Sequence, residues 1–487
     1  MEQVLIISVL LTGAVLAAFG ASLGVAGAVH LASHRNKGYL HWAFYAILFM
    51  QALTVLLSNR DLGVALSLSD LNAPAPANHP VKSLAQPLVS LLLLTVACER
   101  ILAHWLSRGQ AAFMPSAILT VFVIFWLGTV AAPALLGANP AISHAYIYPL
   151  VIGMAAVLTQ ADEIEHAFKA ARNALLLFLI AGLLLIPVKP AMVIEISYAQ
   201  GLLPGVPRLA GLATHAVSLG MLAQIAMLCL LAQPFRRAWL NRLAWAVGLA
   251  VLLLAQSKTA WVSFLVCSAC VVIVRNGSAF WRRVGDPARP EFGIASLLGL
   301  MAVTAALVLT VMLGDIGGTL SRFLGSPEGA QLASLTGRDR IWAVAWDEWQ
   351  RNPVFGYGPS MWDAAFRSSI GMPAATHAHN QFMDTLSRAG VVGAAALVFY
   401  ALVLMVLSIR YARASKGISL ALFVALAMRA VSEVPLLLFG YGSEFVTHVL
   451  LLMTLAASAS AARRAGPRPV AGGRAPDVFA ARTPKSA

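Results

Sequence analysis

The chain has 487 residues, of which 59% are hydrophobic and 11% charged, with a formal net charge of +14. Soluble globular domains carry about 25% charged residues, so this composition excludes a water-soluble domain built around one core. In a soluble protein the positive charge would suggest nucleic acid. Here it sits in short loops between apolar runs, where it reports membrane topology instead.

In chain order, the apolar runs predict membrane spans near 4–32, 39–58, 83–106, 112–137, 145–160, 173–189, 211–232, 243–256, 260–275, 293–314, 390–410, 417–437 and 444–462. A span needs about 20 apolar residues, because the hydrocarbon layer is about 30 Å thick and a helix rises 1.5 Å per residue. Several runs are short, so the expected count is about 12. The runs lack the alternation of barrel strands, so helices must satisfy the backbone hydrogen bonds. The first run starts almost at Met1 without a basic flank, and it is expected to be a retained helix. Cys98, Cys229, Cys267 and Cys270 all fall in apolar runs. Cys267 and Cys270 form a C-x-x-C spacing without a second pair to complete a zinc site, which leaves small packing residues or a redox pair.

Basic loops recur on one side: His34 to Lys37, Lys169 with Arg172, Arg236-Arg237 with Arg242, Arg275 to Arg289, Arg410 to Lys416, and the tail from Arg463. The positive-inside rule makes that side cytoplasmic. The opposite side receives 59–82, 138–145, 190–210, the Ser257-Lys258-Thr259 turn, 315–389 and 438–443. The expected organisation is N-terminal transmembrane helices over 1–314, a periplasmic catalytic loop with interfacial helices over 315–389, C-terminal transmembrane helices over 390–462, and a disordered basic cytoplasmic tail over 463–487. Asp162-Glu163-Ile164-Glu165-His166 has metal-like composition, but topology makes it a solvated cytoplasmic helix end.

Cations on the outer side call for a reason. Arg208, Lys258, Arg338, Arg340, Arg351 and Arg367 lie there, facing either an anionic ligand or local acids and headgroups. Within the long loop, 338–352 reads as an interfacial helix capped by Thr336 and stopped by Pro353, with Ile341, Trp342, Ala345, Trp346 and Trp349 on one face. Phe355-Gly356-Tyr357-Gly358-Pro359 is a turn signal, and Met361 to Arg367 is a short helix candidate. Thr376-His377-Ala378-His379-Asn380-Gln381 opens a further helix running through Arg388, with Gly390 as its stop. A histidine at a helix start, near several cations, is a candidate base or a merely hydrogen-bonded side chain. His377 and His379 form a His-x-His pair, but the loop supplies no carboxylate cluster for a metal.

Three elements of segment 335–400 occur in a fixed order. They are Gly337-Arg338 with Trp342, then Asn352-Pro353 with Gly356 and Gly358, then His379-Asn380 ahead of Gly390 and Gly393. This ordered set resembles the O-antigen ligase and polymerase superfamily of bacterial envelope glycosyltransferases. The resemblance implies an all-α, polytopic transmembrane bundle of about 12 spans, GT-C-like, with a large helical periplasmic loop. It implies O-antigen ligase activity in lipopolysaccharide biosynthesis at the bacterial inner membrane, with the active site facing the periplasm. A glycan would pass from undecaprenyl pyrophosphate to a sugar hydroxyl of lipid A–core. His379 matches the family's histidine base and Arg338 the arginine of its G-R-x-x-x-W element. Lys258 stands where many relatives carry arginine, keeping the charge but losing the guanidinium fork. Arg208 resembles another cationic position. His377, Asn380, Asp384, His215 and Arg340 are candidate supporting residues, His215 two helical turns after Arg208.

A pyrophosphate already leaves well, so cations and a neutral histidine suffice and no cofactor is expected. There is no D-x-D motif, and Asp61 and Asp70 stand apart. No metal is therefore expected, and direct displacement would invert the anomeric centre. The alternatives are O-antigen polymerase, protein O-oligosaccharyltransferase and, from another class, a transporter of lipid-linked sugars.

Overall fold

The computed structural model describes residues 22–27, 29–30, 38–62, 79–106, 115–195, 203, 206–284, 286, 288, 290–295, 297–298, 301, 338–373 and 375–464. The N-terminal run before 22, Asp70, most of 293–314, Thr336 and the tail beyond 464 lie outside the described residues. Within them the chain is mostly helical. Six helices are long and apolar enough to cross a membrane, and five shorter apolar helices accompany them.

In chain order the helices are α1 (Ala43–Leu56), α2 (Pro80–Leu106), α3 (Ser116–Leu136), α4 (Ile147–Val157), α5 (Ile164–Leu184), α6 (Ala216–Ala232), α7 (Ala238–Leu254), α8 (Lys258–Val284), α9 (Arg338–Arg351), α10 (Ala364–Ser369), α11 (Gln381–Arg410), α12 (Ile418–Ser432) and α13 (Phe445–Arg464). Helices α6 and α13 are the most enclosed, and their cores are buried on every side. A helix apolar all round belongs in such a place. The others turn Leu, Val, Ile and Phe outward, as lipid-facing helices do.

Small residues let these helices approach. A Cβ on Gly153 would stand 2.1 Å from the Phe122 ring, and one on Gly128 would stand 2.6 Å from Ala396. Gly128 lies in a π-helical stretch of α3, Leu127–Ala131, which packs against α11. Such close approach is the usual basis of helix association in lipid, where apolar surface alone gives no preference for protein over acyl chains.

The charges sort to the two ends of the bundle. At one end Arg100 pairs with Glu163, Lys169 with Glu165, and Arg464 with Asp162, while Arg172 donates to the Gln233 carbonyl. The acids Asp162, Glu163 and Glu165 are thus held in ion pairs around the start of α5. All four cysteines are free, and the Cys267 thiol donates to the Ala421 carbonyl at 3.1 Å. At the opposite end lie the start of α8, the helices α9 and α10, the start of α11 and the end of α12.

Two local expectations are corrected. Residues 208–215 do not open a helix. Ile194–Glu195 (β1) and Arg208–Leu209 (β2) form a two-residue antiparallel ladder, and Gly211 has a φ of +54°. The helix α6 begins only at Ala216, so Arg208 and His215 do not share a helical face. Arg60 explains the detour. Its guanidinium donates to the carbonyls of Met192, Ala213, Thr214 and Gly211, groups that a helix would have satisfied internally. Burial pulls the Arg60 pKa down to about 10, with Glu195 opposing the shift.

The second correction concerns the histidine segment. It is extended and turned, and α11 starts at Gln381 rather than near Thr376. The stop expected at Gly390 is a sharp kink inside α11, where φ is +61° and ψ is −161°.

Candidate active site

Helix α9 covers 338–351, close to the expected interfacial helix, and ends before Pro353. Ala345 is buried, Ile341 and Trp342 are half-buried, and Trp346 is 45% exposed. The Trp342 indole donates to the Ala378 carbonyl at 2.8 Å. Helix α9 runs alongside the first turns of α11 in the same direction, because Trp342 near its start meets Ala378 just ahead of α11, whereas Val391 and Val392, further along α11, donate to the Pro353 and Val354 carbonyls just past its end. Arg338 therefore stands one turn, about 6 Å, ahead of Trp342, on the side of the histidine segment.

The turn between α9 and α10 is built on close backbone contact. The amides of Tyr357 and Gly358 donate to the Ser387 and Arg388 carbonyls, and Ala138 and Asn139 donate back to Gly356 and Tyr357. Gly356 and Gly358 have φ values of +70° and +116°. The short helix expected near 361–367 is α10, opened by the Asp363 carboxylate accepting from the Phe366 amide at 2.7 Å. Two loop cations are spent locally. Arg351 pairs with Glu348, and Arg367 donates to the Pro373 and Asp363 carbonyls.

The histidine segment is held at several points. Asp384 is almost fully buried; one of its oxygens accepts from the Ala378 amide at 3.0 Å and the other from Arg388 Nε at 2.8 Å. Bonds to a charged group of this kind contribute about 1.5–3 kcal/mol each. The Asn380 side chain caps α11 by accepting from the Met383 amide at 3.0 Å, and it donates to the Val431 carbonyl at 3.2 Å. Between these clamps His379 takes a φ of +49°. A left-handed conformation at a residue other than glycine costs free energy and persists where its surroundings over-determine it.

That conformation turns both imidazoles toward Glu433, which follows α12. His377 Nε2 and His379 Nδ1 each lie 3.4 Å from the same oxygen, Glu433 Oε2. The two rings are 4.2 Å apart, edge to face. The His379 amide donates to His377 Nδ1 at 3.1 Å. Burial would raise the Glu433 pKa, but the nearby His379, His377 and Arg429 hold it below the usual value.

His377, His379 and Glu433 place ligand atoms within 4.8 Å of one another, and no other such group occurs among the described residues. The set offers two nitrogens and one carboxylate. The spacing fits an ion, and it equally fits a carboxylate that accepts from two imidazoles.

Lys258 is exposed at the start of α8, and Arg208 lies beneath the same turn. Arg208 Nε donates to the Ala255 carbonyl at 2.9 Å and its guanidinium lies 3.7 Å from Glu195. Arg208 is thus a buried strut, whereas Lys258, Arg338 and Arg340 make no ion pair with any described residue. A small cavity lined by Ser257, Thr259, Arg429 and Ser432 joins the Lys258 turn to the end of α12, next to Glu433. His215 precedes α6, close enough to Glu433, Glu195, Arg60 and His379 to feel their charges, and burial lowers its pKa.

Glu433 and Arg429 were not anticipated as site residues, because both fall inside the apolar stretch read as a span at 417–437. Their signal was an ionisable residue in an apolar run, which marks a functional position or an internal pair. Arg429 pairs with Glu444 at 2.7 Å.

One pH effect follows from this packing. Burial, aided by His379, lowers the His377 pKa from 6.5 to about 4 against the pull of Glu433 and Asp384. The folded chain then binds fewer protons at His377 than the unfolded chain between those values. Stability from this group is complete above the unfolded pKa and is lost as pH falls through the window. The thermal midpoint in detergent is expected to drop from pH 6.5 to 4, and less steeply in His377→Gln. Equal slopes for the two proteins would contradict the assignment.

The comparisons with known proteins bear on this geometry. A family model described as O-Antigen ligase matches residues 243–398, which supports placing the chain in the O-antigen ligase superfamily. The matched stretch contains Lys258, Arg338 and His379, while Arg208 and Glu433 lie outside it. No curated protein matches the chain.

Proposed function

We propose that this protein is an O-antigen ligase. It transfers a glycan from undecaprenyl pyrophosphate to a sugar hydroxyl of lipid A–core at the periplasmic face of the bacterial inner membrane. The observation that supports the reading is that the family match spans the Lys258 turn, the start of α9 and His379, with Trp342 of α9 bonded to the Ala378 carbonyl and a cavity joining the Lys258 turn to the end of α12.

The chemistry follows from these groups. Lys258 and Arg338 meet the donor pyrophosphate, and Arg208 adds its charge from beneath the Lys258 turn. Arg340, exposed on α9, extends the cationic surface. Positive charge of this kind stabilises the negative charge that grows on the leaving pyrophosphate. The amino terminus of α8 adds the positive end of a helix dipole. His379 accepts the proton of the acceptor hydroxyl as that oxygen bonds to the anomeric carbon. The bond from that carbon to the pyrophosphate oxygen breaks in the same step, so the anomeric centre inverts. The step needs no metal, since the leaving group departs as a stable anion held by lysine and arginine. Asp384, Asn380 and His377 hold the base in place, and His215 borders the site.

The test is a comparison of acceptors. Purified protein and lipid-linked O-antigen are supplied with lipid A–core, with a second lipid-linked glycan, or with a peptide rich in Ser and Thr. The ligase reading predicts joined product with lipid A–core. Product only with the second lipid-linked glycan indicates a polymerase, and product only with peptide indicates protein glycosylation. Movement of donor across a bilayer without any joining would indicate a transporter.

A further inference from the structure

We infer that Glu433 is the positioning residue for His379: it fixes the imidazole with its proton on Nδ1 and leaves Nε2 bare toward the acceptor. The inference rests on the reading of His379 as the base.

The tautomers follow from the atoms that the ring nitrogens face. His377 Nδ1 accepts the His379 amide at 3.1 Å, so the proton of a neutral His377 must sit on Nε2. That Nε2 faces Glu433 Oε2 at 3.4 Å. His379 Nδ1 is buried and makes no hydrogen bond, and the same Glu433 oxygen lies 3.4 Å from it. An ionised carboxylate accepts and cannot donate, so the proton of His379 belongs on Nδ1. The His379 side chain keeps 28% of its surface exposed. With Nδ1 buried, that exposure lies on the part of the ring that carries Nε2.

The charges around Glu433 fit this role. His377, His379, His215 and Arg429 all lie near it, from the histidine segment, the start of α6 and α12. Glu433 follows the last turn of α12 with its amide donating to the Arg429 carbonyl at 2.8 Å, which anchors its backbone. Its side chain is only 14% exposed, so its field at His379 is weakly screened by water.

The proton balance is complete. The acceptor O–H bond breaks and its proton passes to His379 Nε2. The acceptor oxygen bonds to the anomeric carbon, and the bond from that carbon to the pyrophosphate oxygen breaks with its electron pair. His379 is then an imidazolium, and its charge faces Glu433 across Nδ1. A carboxylate in this place orients the ring and stabilises the cation without taking the proton.

The experiment compares Glu433→Gln and Glu433→Asp with the parent, using the split between turnover and donor KM. Glu433→Gln is expected to lower kcat by about 10- to 1,000-fold, less than loss of the base itself, with donor KM near the parent value. Glu433→Asp restores part of kcat. If Glu433→Gln fails to fold, nitrogen-15 NMR of histidine-labelled parent protein decides instead, with His379 predicted to carry its proton on Nδ1.

Unchanged kcat in Glu433→Gln overturns the inference, and so does a proton on Nε2. Stoichiometric zinc bound to the parent and lost in Glu433→Gln would assign the three side chains to a metal instead. A dead His379→Ala beside a normal Glu433→Gln removes only the role of Glu433. A normal His379→Ala removes the base itself.

Discussion

Replacement of His379 by Ala is expected to reduce turnover by about 100- to 10,000-fold, the range that general-base catalysis supplies. Donor binding should change little, because the proposed cations sit on α8 and α9 and not on the histidine segment. The backbone at this position complicates the simplest variant, since His379 has a φ of +49°. Asn tolerates that conformation better than most residues, so His379→Asn separates the two effects. It keeps the left-handed turn and removes the base. Both variants should be inactive, and His379→Asn should keep the thermal midpoint of the parent. A kcat within a few-fold of the parent in His379→Asn would remove His379 as the base.

The second large effect is structural. Gly390 has a φ of +61° with a ψ of −161°, a region open almost only to glycine. A Cβ there would stand 2.3 Å from the Val354 carbonyl carbon and oxygen. Backbone strain costs about 1–3 kcal/mol and forced overpacking costs about 1–3 kcal/mol. Gly390→Ala should therefore lose about 2–6 kcal/mol by those two terms. The contact broken is the one that lays the end of α9 across the kink of α11, where Val391 and Val392 donate to Pro353 and Val354. Activity should fall with stability, because α9 holds the Ala378 carbonyl through Trp342. A thermal midpoint equal to that of the parent would show that the kink is not held by this contact.

The legible and illegible parts of this protein divide on physical grounds. The apolar runs announced the helices, since a membrane helix must be apolar along its length. The face of α9 was legible because Ile341, Trp342 and Ala345 recur at helical spacing. Pro353 and the glycines at 356 and 358 marked the turn, since few residues accept such backbone angles.

The region 208–215 misled because its composition is apolar, and composition does not show that Arg60 would take over its carbonyls. The start of α11 was placed too early for a similar reason. The Asp384 bond to the Ala378 amide competes with helix formation, and it joins residues on either side of the boundary. Glu433 was hidden by sequence distance, since nothing in the loop names a partner 54 residues beyond His379. Only the packing of α12 against α11 brings that carboxylate to the histidines.

Lys258, Arg338 and His379 lie toward one end of the bundle, as one site requires. Arg208 is a strut under the Lys258 turn. His377 accepts the His379 amide through its ring nitrogen, and Asp384 accepts the Ala378 amide.

The most direct measurement is the stoichiometry of transfer by the purified protein with chelator present. Lipid A–core carrying the transferred glycan and free undecaprenyl pyrophosphate are quantified over one time course. The account predicts that both appear in equimolar amounts, with the glycan joined in inverted configuration. Absence of glycan on lipid A–core while donor is consumed, or loss of transfer on chelation with recovery on adding a divalent metal, would contradict it.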